Sequence, residues 1–301
     1  MDSKIGFLFP AFGAGYDRGE KELFPGYREE LARLLPRASE VVEIDRESFE
    51  SPANDLQAHY VCYINSCVVS NALKSLNIVS DYVAPYSMGL FAALYHVSSY
   101  SFEDGLLLTH NICRFALEAV DGGVYGMGVI IGLPYEQVVE LIAKNCTRVE
   151  LADLSNEHVA IASGWKPELE KLMQIAAEKG SLHTGIMPVS LPYHSSFLKA
   201  TEGRIREFLN GLDIKSPAHK IISCTDQKVL TTVDEVRREV TVNVSHNINW
   251  FLTMKKMLEL GVNLFVECGA SESLTKQAKF FKGDFKVYHP RRFKKLFACI
   301  Q

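Results

Sequence analysis

No Cys-x-x-Cys pair occurs in this chain, although it holds seven cysteines: Cys62, Cys67, Cys113, Cys146, Cys224, Cys268 and Cys299. An odd number without metal-ligand spacing argues against a disulfide framework and a structural zinc site, and fits a reducing compartment. No apolar run is long enough to span a bilayer. The opening "MDSKIGFLFP" has no basic leader ahead of a signal-type apolar core, so a soluble cytoplasmic protein is the expectation. Positive charge is not in excess: the formal net charge is -4 over 301 residues, which gives no reason to expect nucleic-acid binding. Internal repeats, low-complexity tracts and linker-like stretches are also missing. What is present is ordinary globular material, 47% hydrophobic and 23% charged. It is enough for one large domain, or for a main domain carrying a smaller insertion.

"KIGFLFP" reads as a buried strand stopped by Pro10, followed by the glycine-rich "AFGAGYDRG". "FPGYREELARLLPRASEVV" has helical spacing with a break predicted near Pro36, and "HYVCYINSCVVSNALKSLNIV" predicts an apolar helix of about five turns. "SDYVAPY" is a second buried strand, and "SMGLFAALYHV" after it reads as helix. "SFEDGLLLTHNICRFALEAV" is a further helix, with Ser101 as N-cap and Asp104 three residues on. This grammar predicts a parallel sheet covered on both faces.

The rhythm then changes. "GMGVIIGL", "PYEQVVELIAKN", "TRVELADL", "HVAIAS", "KPELEKLMQIAAEKG" and "TGIMPVSL" read β-α-β-β-α-β, the ferredoxin-like order. The expected organisation is an α/β-hydrolase-like large domain over residues 1–123 and 192–301, with an inserted ferredoxin-like subdomain over 124–191.

Ser87 stands in "APYSMGLFAAL", between a buried strand and a helix. A serine on such a turn has its Oγ pushed out of the sheet, and the helix N-terminus places N–H groups near any oxyanion. The usual form is G-x-S-x-G, of which only Gly89 is kept here. A serine before a helix is more often an N-cap than a nucleophile, so the fragment alone decides nothing. His194, in "MPVSLPYHSSFL", is a general base only if it reaches Ser87.

Together these stretches resemble the malonyl-CoA:acyl carrier protein transacylase family, which includes the acyltransferase domains of fatty-acid and polyketide synthases. "FLFPAFGAG" is similar to FxFPGQGSQ, "PYSMGLFAAL" to GHSxGE and its helix, and "GMGVIIGL" to the strand entering the small domain. "LADLSNEHVAIASG" is similar to NxNSPxQVVISG, "MPVSLPYHSSFL" to LxVSxPFHSxxM, and "FVECGASESLTKQAK" to EIGPGxxLxxLxK. The resemblance implies a trans-acting enzyme of ping-pong acyl transfer, with Ser87 as nucleophile and His194 as base. It implies backbone N–H groups of Phe12 and Met88 as oxyanion hole and the Asn243 carbonyl as the group that orients the histidine. It also implies an acyl carrier protein as partner, coenzyme A or phosphopantetheine thioesters as substrates, no permanently bound cofactor or metal, and a monomer.

The departures from the family carry information of their own. The arginine that grips the malonyl carboxylate aligns with Ile112, and Arg114 lies about 200° further round the helix. The loop glutamines become Phe12 and Gly15, the histidine before the serine Tyr86, the following glutamate Leu90, and the glutamine before the family's tryptophan Asn243. The family's asparagine falls on Leu154 or Ser155, close to Asn156. The resemblance thus implies an acyl pocket rebuilt around Tyr86, Ile112 and Tyr193, suited to a neutral acyl group. Transfer between thioesters is the leading reading. Hydrolytic editing of stalled acyl carriers and non-catalytic carrier binding stay open. "HPRRFKKLF" places Arg291, Arg292, Lys294 and Lys295 together, either a solvated basic tail or, with Arg237 and Arg238, a docking patch for an acidic carrier. His183 is the alternative base.

Overall fold

The computed structural model describes residues 3–11, 24–120, 122–270 and 272–300. In chain order its elements are β1 (Lys4–Phe9), α1 (Tyr27–Ser39), α2 (Arg46–Glu50), α3 (Asp55–Ser75), β2 (Tyr82–Pro85), α4 (Gly89–His96) and α5 (Phe102–Ala119). There follow β3 (Tyr125–Ile131), α6 (Tyr135–Asn145), β4 (Val149–Asn156), β5 (Val159–Trp165), α7 (Lys166–Glu178) and β6 (His183–Ile186). The chain ends with α8 (Thr201–Asn210), β7 (Lys220–Ile222), β8 (Val229–Leu230), α9 (Val233–Val242), α10 (Trp250–Glu259), β9 (Val262–Glu267), α11 (Ser273–Ala278), β10 (Lys286–Tyr288) and α12 (Phe293–Ile300).

Six strands form one sheet in the order β10-β9-β1-β2-β7-β8, all neighbours parallel except the final hairpin pair β7–β8. Alternation along β1 sends Phe7 and Phe9 into the core beneath α1, α3, α4 and α5. Leu8 goes to the opposite face, among Trp250, Met254 and Met257 of α10. Both faces are therefore covered, as apolar parallel strands require. α3 is buried on most of its circumference because it packs against α1, α4 and α5 at once. The second sheet is antiparallel, in the order β4-β5-β3-β6, with Val138 of α6 and Leu169 and Leu172 of α7 packed on one face with Ile130. That is the ferredoxin-like strand order.

Three local expectations are corrected. Pro36 does not break its helix: α1 continues to Ser39. The proline sits in the last turn, where little of the helix remains to be disrupted. The strand read through "TGIMPVSL" stops at Ile186, because Pro188 has no N–H for a ladder. The basic stretch "HPRRFKKLF" is not a tail: Phe293 and Leu296 are fully buried, and the cations lie on a 3₁₀ turn and on α12.

The carboxyl ends of β1 and β2 lie side by side in the middle of the sheet, and α4 starts directly above them. Tyr86 N–H donates to the Phe9 carbonyl at 2.9 Å. Gly89 lies so close to the same strand that a Cβ there would overlap the Phe9 carbonyl oxygen and crowd that of Pro10. This contact is why the second glycine of the motif is kept. Gly89→Ala is expected to destabilise the fold by about 3 kcal/mol, since a backbone atom cannot give way as a side chain does. Urea unfolding checks it; a loss under about 0.5 kcal/mol would mean that the helix and strand separate freely.

Candidate active site

Ser87 is held in the left-handed region, with φ 54°. Bonds from Gly89 N–H to the Tyr86 carbonyl and from Leu90 N–H to the Ser87 carbonyl close the turn. A non-glycine residue there is strained and persists only when its surroundings over-determine it. The turn leaves Ser87 half-buried at the carboxyl end of β2, with the Met88 N–H at the positive end of α4.

His194 is also left-handed, with φ 60°, and its own N–H donates to the Val244 carbonyl at 2.8 Å. The chain turns sharply here and points the imidazole across to Ser87. Nε2 lies 2.6 Å from Ser87 Oγ, and Nδ1 lies 2.7 Å from the Asn243 carbonyl oxygen. A carbonyl only accepts, so Nδ1 carries the proton and Nε2 presents its lone pair to the serine hydroxyl. Burial holds the imidazole down at about 4, against a smaller opposing pull from the backbone carbonyls of Asn243 and His246. At neutral pH the ring is uncharged and in the tautomer a base requires. Asn243 is the C-cap of α9, so the negative end of that helix faces the ring.

Tyr193, next to His194, is buried with its hydroxyl 3.5 Å from His59 Nε2 and 3.9 Å from Cys113 Sγ. Beside Met88 and Gly89 is a cavity of about 10 Å³, room for one water, whose walls include His59, Cys62, Ser66 and Thr109. Ile112 is one turn beyond Thr109 on the same helix face and is fully buried. Arg114 lies on the outer side, half exposed, paired with Glu118 and stacked over Phe115. Tyr86 adjoins Ser87, but its hydroxyl donates to Asp153 at 2.9 Å and its ring packs edge-on against Trp250.

Phe12 lies outside the described residues. His183 is exposed on β6, an edge strand of the other sheet. Arg291, Arg292, Lys294 and Lys295 are exposed. The first two follow β10 at the carboxyl edge that also carries Ser87, about 14 Å along the sheet by strand spacing. Arg237 donates to the Leu209 carbonyl and Arg238 pairs with Asp226.

Sequence reasoning missed Asp153. It is buried on β4 and accepts from Trp250 N–H at 3.0 Å, Tyr86 OH at 2.9 Å and Ser155 Oγ at 2.5 Å. Burial pushes its carboxyl up to about 6. The only sequence signal was an acid within the apolar run "VELADLS".

A serine on a strand–turn–helix junction, met by a neutral histidine from a distant loop, defines the site as that of a serine–histidine α/β enzyme. No family model matches the chain. It is 28% identical over 282 residues to the malonyl CoA-acyl carrier protein transacylase of Bacillus subtilis, covering 91% of this chain and 89% of that protein. A solved malonyl CoA-acyl carrier protein transacylase from Clostridium perfringens superposes with a TM-score of 0.88 at 27% identity, covering 99% and 97% of the two chains. A complex of a type II PKS acyl-carrier protein with its malonyl-transacylase contains a chain of the same fold, with a TM-score of 0.87 at 20% identity, covering 95% and 96%. In sequence and in fold the chain is similar to malonyl CoA-acyl carrier protein transacylases.

The buried imidazoles predict how stability depends on acidity. Burial lowers His59 and His96 to about 3 and His194 to about 4, from 6.5. The unfolded chain binds these protons first, so their contribution is complete above pH 6.5 and is lost as pH falls toward 4. Asp153, between 3.8 and about 6, and Glu267, whose carboxyl burial also raises, act oppositely, two groups against three. The urea midpoint is expected to fall steadily from pH 6.5 downward. A midpoint flat from pH 7 to 5 would contradict the buried neutral state.

Proposed function

We propose that the protein is an acyltransferase that moves a neutral acyl group between coenzyme A and acyl carrier protein thioesters through an ester on Ser87. The observation that carries this is the 2.6 Å contact of Ser87 Oγ with His194 Nε2, backed by the carbonyl on Nδ1. Ser87 Oγ attacks the thioester carbonyl while its proton passes to Nε2. The oxyanion is met by the Met88 N–H and, by the family resemblance, that of Phe12. The intermediate collapses, the C–S bond breaks and the imidazolium returns its proton to the departing thiolate. The carrier's phosphopantetheine thiol then attacks the ester, giving its proton to His194; the C–O bond to Ser87 breaks and the imidazolium returns the proton to the serine oxygen. The α9 terminus and the Asn243 carbonyl supply dipoles that favour the transient imidazolium, so no carboxylate is needed.

Ile112 supports the choice of a neutral acyl group. It offers no hydrogen bond to a carboxylate, and a buried unpaired carboxylate is strongly disfavoured. The test is intact mass spectrometry of the protein with a panel of neutral acyl thioesters and malonyl-CoA. Neutral acyl groups should add to Ser87 with at least 10²-fold higher kcat/KM than malonyl, and Ile112→Arg should recover some malonyl loading. Ser87→Ala should take no label, and His194→Ala should slow loading by about two to four orders of magnitude. Efficient malonyl loading of the wild type would overturn the substrate assignment, and release of free acid in place of transfer to holo carrier would make the enzyme a hydrolase.

The exposed cations Arg291, Arg292, Lys294 and Lys295 are proposed to dock the acidic carrier. Charge reversal of these residues should raise the KM for carrier several-fold at low salt, an effect that fades as salt screens it. An unchanged KM at low salt would remove the patch from the interface.

A further inference from the structure

Ser87 and His194 are 107 positions apart, and their contact depends on how three chain segments are held together. These are the nucleophile turn at Tyr86–Ser87, the base loop at His194–Ser196, and the Asn243–Trp250 stretch that supplies the orienting carbonyl. One strand touches all three. On β4, Asp153 accepts from Tyr86 OH of the first and Trp250 N–H of the third, the Ala152 carbonyl accepts from Ile248 N–H of the third, and Glu150 accepts from Ser196 N–H at 2.8 Å and from the Ser196 hydroxyl in the second.

The strand is shaped for this. Its pairing with β5 slips between Leu151 and Asp153, a bulge that leaves Ala152 out of the ladder and re-aims the side chain beyond it. Asp153 keeps its pairing with Ile161 of β5 and on its other side bridges to Ile248. The Asp153 carboxylate is then buried with three donors around it, satisfied only in this arrangement. We propose that Asp153, with Glu150, is a positioning residue of the active site, through which β4 of the antiparallel sheet sets the register of Ser87 against His194.

The inference rests on Ser87 being the nucleophile, but not on which acyl group or carrier is used. The probe is therefore a fluorophosphonate, which forms an O–P bond at an activated serine with loss of fluoride, whatever the natural acyl group. Asp153→Ala should lower the maximal labelling rate about 10²-fold, the cost of a misplacement near 1 Å, with the half-saturating probe concentration nearly unchanged. Asp153→Asn keeps the shape and one of the two acceptor oxygens, its amide facing hydroxyls that can accept, and should stay within about tenfold of wild type. Tyr86→Phe removes one hydroxyl and should slow labelling by a smaller factor. The double variant Tyr86→Phe with Asp153→Ala should be no slower than Asp153→Ala alone, because both act through one contact.

Wild-type labelling rates in Asp153→Ala, or losses that multiply in the double variant, would overturn the inference. If Asp153→Ala does not fold, Tyr86→Phe and Asp153→Asn decide it, and a Tyr86→Phe protein as fast as wild type overturns it. A wild-type protein inert to the probe would remove the nucleophile reading and this inference with it. A labelled protein that loads no acyl group from the panel would overturn only the substrate assignment.

Discussion

A neutral imidazole sealed from water, with a carbonyl on one nitrogen and a serine hydroxyl on the other, is the constraint on which the rest of the site depends. Charge on a ring so deeply buried is costly unless something nearby compensates it. The compensation here comes from backbone dipoles. Asn243 ends α9, its carbonyl points at Nδ1, and its side-chain amide donates to Cys224 Sγ at 3.2 Å. Behind it, Glu239 accepts from Ser223 Oγ, Cys224 N–H and Thr225 Oγ1, tying the end of β7 to α9. The carbonyl that faces the histidine is thus fixed by a hydrogen-bonded block, and preorganised dipoles need no rearrangement when charge develops.

The same constraint explains the two left-handed residues. Ser87 and His194 each turn the chain where an ordinary residue resists turning. Each turn is pinned by a bond to another element: Tyr86 N–H to Phe9, His194 N–H to Val244. The strain sits where two side chains from distant segments must meet, and the surrounding bonds keep it there.

Much of this was legible from residue patterns. The strand before Ser87, the helix after it and the capping of α5 by Ser101, which accepts from Asp104 N–H at 3.0 Å, follow from local spacing and side-chain chemistry. Asp153 was not legible, because its partners Tyr86 and Trp250 lie 67 and 97 positions away and a bulge decides which way it points. The short C-terminal elements β8, α11 and β10 were missed for another reason. With two to six residues each, they carry too little periodicity, and their place comes from packing on β7, β9 and α10. The basic stretch misled because its charges are visible in sequence, whereas the burial of Phe293 and Leu296 between them is a tertiary fact.

The sign of the buried charge bears on substrate choice more broadly than Ile112 alone. Among the described residues the buried carboxylates are Asp153, Glu239 and Glu267, and no lysine or arginine is buried. Asp153 and Glu239 each flank a segment of the dyad, one through Tyr86 and the other through Asn243 and Cys224. On the proposed neutral-acyl reading, a substrate carboxylate beside Ser87 would find no buried cation among the described residues, with Arg114 turned outward onto Glu118. The buried acids serve as internal hydrogen-bond acceptors for the scaffold. On that reading, a cation introduced at position 112 leaves those acids in place, so malonyl loading by Ile112→Arg should remain below that of neutral thioesters on the wild type.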